Sequence, residues 1–162
     1  MQKFTQKYTI ICLLEYTEEG YEFPSNSWPL HTTLADTFAI KWDKETLKSK
    51  LVEVADTLRP VTTKAVRDEY FGPDQNVHVV LLEKTEGLAS MHYHIVNSLK
   101  KGDVIFNDPQ HSEEGFLPHS TVQKHAQVKP KDIVKLENLA LIDMFPNEDA
   151  YQRKVLKIVK LK

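Results

Sequence analysis

Cysteine is almost absent from this sequence, since Cys12 is the only one. A single thiol excludes a disulfide within the chain and a zinc site built from several cysteines. This composition fits a reducing compartment, so we expect a cytoplasmic protein. The apolar run from Thr9 to Leu14 is too short to cross a membrane, and we expect no membrane partner.

Glycine is also scarce, and the sequence has no excess of positive charge. The five glycines form no obvious phosphate-cradling loop, which argues against nucleoside triphosphate chemistry. A formal net charge of −2 does not provide the basic field of a nonspecific nucleic-acid binder. We therefore expect any nucleic-acid substrate to be short, or to be held at a single phosphate.

Strand and helix patterns alternate along the 162 residues, a length that suits one buried core, and we expect one domain over 1–162. The predicted strands cover 7–16, 30–40, 61–71, 76–83 and regions near 117–124, 136–145 and 153–161. Apolar spacing predicts one helix from the N-cap Asp43 to just before Pro60, and a second over 87–101. Residues 61–71 and 76–83 are expected to form a hairpin around Gly72-Pro73-Asp74, and the turn-rich segments 18–29 and 107–115 are expected to be irregular. Hairpin-like strand pairs around two helices favour an α+β fold over a doubly wound parallel sheet.

Two short segments of the sequence resemble each other. Each has an aromatic residue, a proline and a leucine before a histidine, then a small hydroxyl residue, a threonine and an aliphatic residue. The segments are Trp28-Pro29-Leu30-His31-Thr32-Thr33-Leu34 and Phe116-Leu117-Pro118-His119-Ser120-Thr121-Val122. Because side chains alternate along a strand, each histidine shares a face with the threonine two residues later. Each segment thus offers an imidazole and a hydroxyl on one face.

Two such segments around a pseudo-twofold axis would place His31 and His119 on opposite sides of a phosphate. The ordinary pKa of histidine lies near neutrality, so one ring can accept a proton while the other donates one. Thr33 and Thr121 would donate hydrogen bonds to the phosphate oxygens. One His-x-Thr alone is usually a half-buried polar pair, but two copies in matched contexts favour function. This chemistry needs no metal ion and no cofactor, and we expect neither.

The paired motifs resemble those of the 2H phosphoesterases, which include RNA 2′,3′-cyclic phosphodiesterases and proteins called 2′-5′ RNA ligases. Their signature is two His-x-Thr/Ser-x motifs with an aliphatic or aromatic fourth residue, which both segments match. The resemblance implies a bilobal arrangement of two antiparallel sheets, flanked by two main helices, around a central cleft. It also implies that His31 donates a proton to the leaving oxygen, that His119 activates water, and that Thr33 and Thr121 bind phosphate. The residues alone equally permit the reverse roles.

Four further residues are candidate substrate ligands. Trp28 and Phe116 each stand three residues before a candidate catalytic histidine, where a ring could stack on a nucleobase. If the strand of the second motif continues, Gln123 and His125 share the face of its histidine. By contrast, His92 and His94 are not expected to bind a metal, because positions i and i+2 of a helix face about 200° apart.

These observations predict a metal-independent phosphodiesterase that hydrolyses a 2′,3′-cyclic phosphate of an RNA end or a nucleotide. The same two histidines could also cleave or form a 2′-5′ phosphodiester bond, because a catalyst serves both directions of a reaction. A noncatalytic module that binds nucleotides or RNA is the third hypothesis. In each case we expect a monomer whose partner is a nucleotide or an RNA-terminal phosphate.

Overall fold

The computed structural model describes residues 6–162. The strands of this part of the chain are β1 (Tyr8–Leu13), β2 (Glu22–Pro24), β3 (His31–Ala39), β4 (Val61–Phe71), β5 (Val77–Leu82), β6 (Ile105–Phe106), β7 (His119–Thr121), β8 (Ile133–Leu136), β9 (Asn138–Asp143) and β10 (Gln152–Lys160). The α-helices are α1 (Lys44–Asp56) and α2 (Glu86–Lys100). No helix in residues 6–162 is long and apolar enough to cross a membrane.

The strands form two antiparallel sheets, which confirms the expected α+β class. One sheet has six strands in the order β2-β10-β9-β1-β3-β6, and the other has four in the order β7-β5-β4-β8. Strand β3 of the larger sheet contacts β7 of the smaller one. The two strands that carry the repeated motifs therefore meet where the sheets adjoin.

Both helices begin at side-chain caps and bury one apolar stripe. The Asp43 carboxylate accepts a hydrogen bond from the Thr46 amide at 2.8 Å, which confirms the predicted N-cap. At α2 the Thr85 hydroxyl accepts from the Leu88 amide at 3.1 Å. Helix α1 packs on β9 and β10, whereas α2 packs on β3 and β4. The buried stripes are Leu47, Leu51 and Val54 in α1 and Leu88, Met91, Ile95 and Leu99 in α2.

Strands β4 and β5 form the predicted hairpin. Their last pair is Phe71 with Val77, and Gly72 begins the connection at φ +93°, a left-handed conformation that favours glycine. Residues Val79 to Leu82 are buried, as expected of a strand covered on both faces. The hairpin thus places Phe71 at the end of β4, beside the turn.

One strand is shorter than predicted, and β2, β6 and β8 were not predicted. The strand expected near 117–124 covers only His119–Thr121, because the chain turns back when the Gln123 amide donates to the Ala126 carbonyl at 2.9 Å. The strand expected near 136–145 is β9, whereas β8, just before it, was not predicted. Strand β8 pairs with β4, and β9 pairs with β1 and β10, so the chain changes sheets at Glu137. The short strand β2 lies in a segment that turn residues had marked as irregular.

Candidate active site

The two repeated motifs are tied to each other by a reciprocal pair of hydrogen bonds. The Thr32 hydroxyl donates to the His119 carbonyl at 2.7 Å, and the Ser120 hydroxyl donates to the His31 carbonyl at 2.8 Å. Thr32 and Ser120 are both buried. The small hydroxyl residue after each histidine therefore joins the two strands, while the histidine itself belongs to the opposite face.

A backbone carbonyl fixes the orientation of each imidazole. His31 Nδ1 lies 2.8 Å from the Pro29 carbonyl, and His119 Nδ1 lies 2.8 Å from the Leu117 carbonyl. Since a carbonyl oxygen only accepts, Nδ1 carries the proton in each ring and Nε2 of the neutral ring is an acceptor. Neither Nε2 has a hydrogen-bond partner within residues 6–162. Two matched imidazoles thus present the nitrogen that can exchange a proton with a ligand.

Burial keeps both imidazoles neutral at neutral pH. Desolvation lowers the pKa of His31 to about 4, and the nearby His119 lowers it as well. Desolvation also lowers the pKa of His119, against a smaller opposing effect of the Asp36 carboxylate. A phosphate bound between the rings would favour their protonated forms, because an opposite charge nearby raises the pKa of a histidine.

An aromatic ring packs against each histidine. The Trp28 and His31 rings have centroids 4.8 Å apart at an interplanar angle of 31°, and Trp28 Nε1 donates to the Ser25 carbonyl. The Phe71 ring meets His119 edge to face, with centroids 5.0 Å apart at 76°. Phe71 comes from the β4–β5 hairpin, outside both motifs, so only the folded chain pairs it with His119.

A cavity of about 580 Å³ adjoins the second histidine. Its lining residues include Thr33, Leu34, Asp36, Tyr70, Phe71, Gln75, His92, His111, Phe116, Leu117 and His119. Two predicted residues, Thr33 and Phe116, are therefore brought together with His119. Thr121 follows His119 in β7 as Thr33 follows His31 in β3, but it does not line this cavity.

Trp28 and His125 line a different hollow, of about 680 Å³. His125 Nε2 lies 2.7 Å from a Glu15 carboxylate oxygen, and the same oxygen accepts from the Leu30 amide at 2.7 Å. Because β7 ends at Thr121, the strand alternation that would place Gln123 and His125 beside His119 does not extend to them. The Gln123 side chain instead donates to the Thr121 carbonyl at 3.4 Å.

A β-bulge in β3 brings Asp36 to the cavity wall. Ile11 pairs with Thr33 but Ile10 pairs with Ala35, so Leu34 is an extra residue on β3. One extra residue shifts the alternation of side chains by one position. Thr33 and Asp36, which regular alternation would place on opposite faces, therefore both line the cavity. Regular alternation along the sequence therefore gives no sign of Asp36 in the site.

His92 connects this bulge to the loop that leads into the second motif. Its Nδ1 donates to the Leu34 carbonyl at 2.6 Å, and its Nε2 accepts from the Glu113 amide at 2.9 Å. The His92 ring also lies parallel to Phe116, with centroids 4.0 Å apart at an angle of 1°. His94, by contrast, is exposed and interacts with Ser90. His92 is a fully bonded core residue rather than half of a metal pair.

Three potential cation ligands lie together beside the cavity. The ligand atoms of Asp36, Asp108 and His111 are within 4.8 Å of one another, and His111 Nδ1 is 3.4 Å from an Asp36 oxygen. The side chains of Asp108 and His111 are exposed. Exposed acidic groups often come together without an ion, and the sequence distance between Asp36 and Asp108 had given no sign of this cluster.

Comparisons with known proteins define the class of this fold. The structure is similar to that of Escherichia coli LigT in complex with 3′-AMP, at 17% identity and a TM-score of 0.58, over 97% of this chain and 98% of that one. It is also similar to a structure described as a phosphoesterase, at 18% identity and a TM-score of 0.57, over 97% and 98% of the two chains. The protein TT0787 of Thermus thermophilus is similar at 16% identity and a TM-score of 0.58, over 96% and 97%. The fold is therefore LigT-like.

The family follows from the sequence itself. The profile of the 2′-5′ RNA ligase superfamily matches residues 6–144, which is most of the chain. The chain belongs to the 2′-5′ RNA ligase superfamily, and family and fold together support a 2H phosphoesterase. The resemblance inferred from the two motifs is thereby confirmed. No curated protein matches the sequence.

Proposed function

We propose that this protein is a phosphodiesterase that hydrolyses a cyclic phosphodiester, the 2′,3′-cyclic phosphate of a nucleotide or of an RNA end. The proposal depends above all on the free Nε2 atoms of His31 and His119, which two strands joined by reciprocal hydrogen bonds hold in equivalent orientations. The superfamily match supports the reaction class. LigT has been solved with 3′-AMP, with phosphate, with ATP and with NADP+, which supports a nucleotide or a phosphate as ligand.

The two imidazoles share the proton transfers of hydrolysis. One neutral Nε2 accepts a proton from the water that attacks phosphorus, and the other, protonated ring donates its proton to the ribose oxygen as the P–O bond breaks. The product is a phosphate monoester with a free ribose hydroxyl. Following the resemblance, we assign the donor to His31 and the acceptor to His119. Thr33 and Thr121 donate hydrogen bonds to the nonbridging oxygens.

The donor must gain its proton with the substrate. In the unliganded protein burial lowers the pKa of His31 to about 4, so its ring is neutral at pH 7. The negative phosphate raises that pKa on binding, so the His31 ring can hold a proton at neutral pH and donate it to the leaving oxygen. Protonation of His31 is thus coupled to binding of the phosphate.

The superfamily match also supports cleavage or formation of 2′-5′ bonds as a second candidate activity. This reaction would use the same two nitrogens, because only the oxygen that leaves or attacks differs. A noncatalytic nucleotide-binding module is the remaining alternative. Against it, both histidines and both threonines of the motifs are retained.

The first experiment measures hydrolysis of the four nucleoside 2′,3′-cyclic monophosphates and of a 2′-5′-linked dinucleotide in EDTA. We expect wild-type turnover, and a loss of about 10²-fold or more in kcat for His31→Ala and for His119→Ala, as removal of a positioned acid or base predicts. His94→Ala is the matched control, because His94 is an exposed histidine that does not line the cavity. Full activity in either catalytic-site variant would refute the assignment, whereas nucleotide binding without turnover would favour the binding module.

A further inference from the structure

One part of the cavity wall is acidic. The bulge at Leu34 turns Asp36 toward the cavity, where one carboxylate oxygen accepts from the Thr37 amide at 2.9 Å. The other oxygen lies 3.4 Å from His111 Nδ1, and the Asp108 carboxylate is close by. A carboxylate has about four acceptor positions, so Asp36 keeps capacity that these neighbours do not fill.

No lysine or arginine in residues 6–162 lines this cavity. Apart from Asp36, the lining side chains are uncharged or are histidines. Lys84 lies 5.8 Å from the Phe116 ring, but its ammonium group is directed to the Glu114 carbonyl and is not part of the lining. A phosphate at the catalytic histidines can be compensated by a protonated imidazole. A second phosphate in the cavity would face the Asp36 carboxylate with no fixed cation to offset it.

The remaining wall suits a flat and uncharged group. Phe71 and Phe116 approach from the hairpin and from the loop before β7, while Tyr70 and Leu117 are about half exposed at 52% and 50%. Aromatic and apolar walls with a few polar groups are typical of sites for small organic ligands, and aromatic rings bind nucleobases of any sequence. A nucleobase matches this wall in shape and charge, whereas a polyphosphate chain does not.

We infer that Asp36 is a specificity-determining residue. It restricts the cavity to substrates that place no phosphate in it other than the one that reacts. This inference rests on the proposed function and narrows it to nucleoside monophosphates. Nucleoside bisphosphates and polyphosphates are disfavoured, because their additional charge is repelled by Asp36. An RNA end is accepted when its terminal nucleoside alone enters the cavity.

The test compares two ligands that differ by one phosphate, 3′-AMP and adenosine 3′,5′-bisphosphate. Their Kd values are measured by calorimetry in EDTA at one ionic strength, for wild type, Asp36→Asn and Asp68→Asn. Asparagine keeps the shape and the acceptor for the Thr37 amide but removes the charge. Asp68 is the matched control, because it also contacts a histidine, His78 at 2.6 Å, and does not line the cavity.

For the wild type we expect the Kd of the bisphosphate to be about 10 times the Kd of 3′-AMP. Asp36→Asn should lower this ratio of Kd values by a factor of about 5 or more. Added salt should reduce the ratio in the wild type and have less effect in Asp36→Asn, because salt screens charge repulsion. Asp68→Asn should behave as the wild type. Equal wild-type affinities, an unchanged ratio in Asp36→Asn, or no binding of either ligand would overturn the inference. Turnover of cyclic substrates and its loss in the histidine variants test the proposed reaction separately.

Discussion

The hydroxyls of Thr32 and Ser120 each donate a hydrogen bond to the main-chain carbonyl of the histidine in the opposite motif, at 2.7 and 2.8 Å. The two strands belong to different sheets, so these bonds cross the junction between the sheets. Each bond holds the backbone of one histidine against the other motif. The separation of the two imidazoles therefore depends on two buried hydroxyls.

Removing either hydroxyl should lower activity by disturbing this separation. In Thr32→Val the shape is kept, but the buried His119 carbonyl loses its partner, at a cost of about 1–3 kcal/mol in the free energy of unfolding. We expect kcat to fall about 10-fold or more, with a smaller change in KM, since misplacement affects the transition state most. Urea unfolding and steady-state kinetics measure the two effects.

Thr32→Ser is the control, because it keeps the hydroxyl and should keep most of kcat. The variant Ser120→Ala and the double variant with Thr32→Val complete a double-mutant cycle, which reports whether the two bonds act together. If Thr32→Val loses stability while kcat is unchanged, the hydroxyls support only the fold.

The buried His31 should make stability depend on pH. Its pKa is about 4 in the folded protein and near 6.5 when unfolded, so between these values the unfolded chain binds more protons. The free energy of unfolding should therefore rise with pH from about 4 to 6.5 and stay level above that, with a contribution of up to about 3 kcal/mol from this residue. Urea unfolding over pH 4–8 measures the slope.

His31→Asn should reduce this slope, because asparagine does not titrate but can still donate to the Pro29 carbonyl. His119 and His92 also have lowered pKa values and contribute in the same direction, so a smaller slope should remain. The same slope in wild type and His31→Asn would contradict burial as the cause.

His92 should act on substrate binding through the cavity wall. His92→Ala removes its bonds to the Leu34 carbonyl and the Glu113 amide together with the ring stacked on Phe116. We expect it to lower the free energy of unfolding by about 2–4 kcal/mol. KM should rise more than kcat falls, because the wall is displaced while the imidazoles of His31 and His119 remain.

His92→Asn separates these contacts, since its amide can still donate to the Leu34 carbonyl but does not reach Glu113. Its free energy of unfolding should lie between those of the wild type and His92→Ala. Its KM should stay closer to that of His92→Ala. His94→Ala provides the matched change on the exposed side of α2. A KM equal to that of the wild type in His92→Ala would show that the wall does not depend on this contact.

Much of the fold could be predicted from local signals. The Asp43 cap, the apolar spacing of both helices and the turn at Gly72 are decided by neighbouring residues, and all three appear in the structure. The lengths of the later strands were not predictable in this way. They depend on which sheet each segment joins. Strands β8 and β9, on either side of Glu137, illustrate this because they belong to different sheets.

The candidate site likewise contains residues that a local pattern predicts and residues that depend on the folded chain. The repeated motif indicated His31, His119 and their threonines, because its alternation is local. Asp36 depends on a one-residue bulge, which has no signature in the sequence. His92 did leave a signal, since it lies four residues after the buried Leu88, and a polar residue on an apolar helix face indicates a bonded core group.

The position of β1 at the middle of the larger sheet has a consequence for the order in which the protein takes shape during its synthesis. Thr9 pairs with Ile142 on one side, and Ile11 pairs with Thr33 on the other. An emerging chain that already carries both histidines still lacks the segment that flanks β1 on its second side. Contacts between such distant segments form slowly, because a long loop must close first. A competent catalytic centre is thus expected only after β9 has left the ribosome.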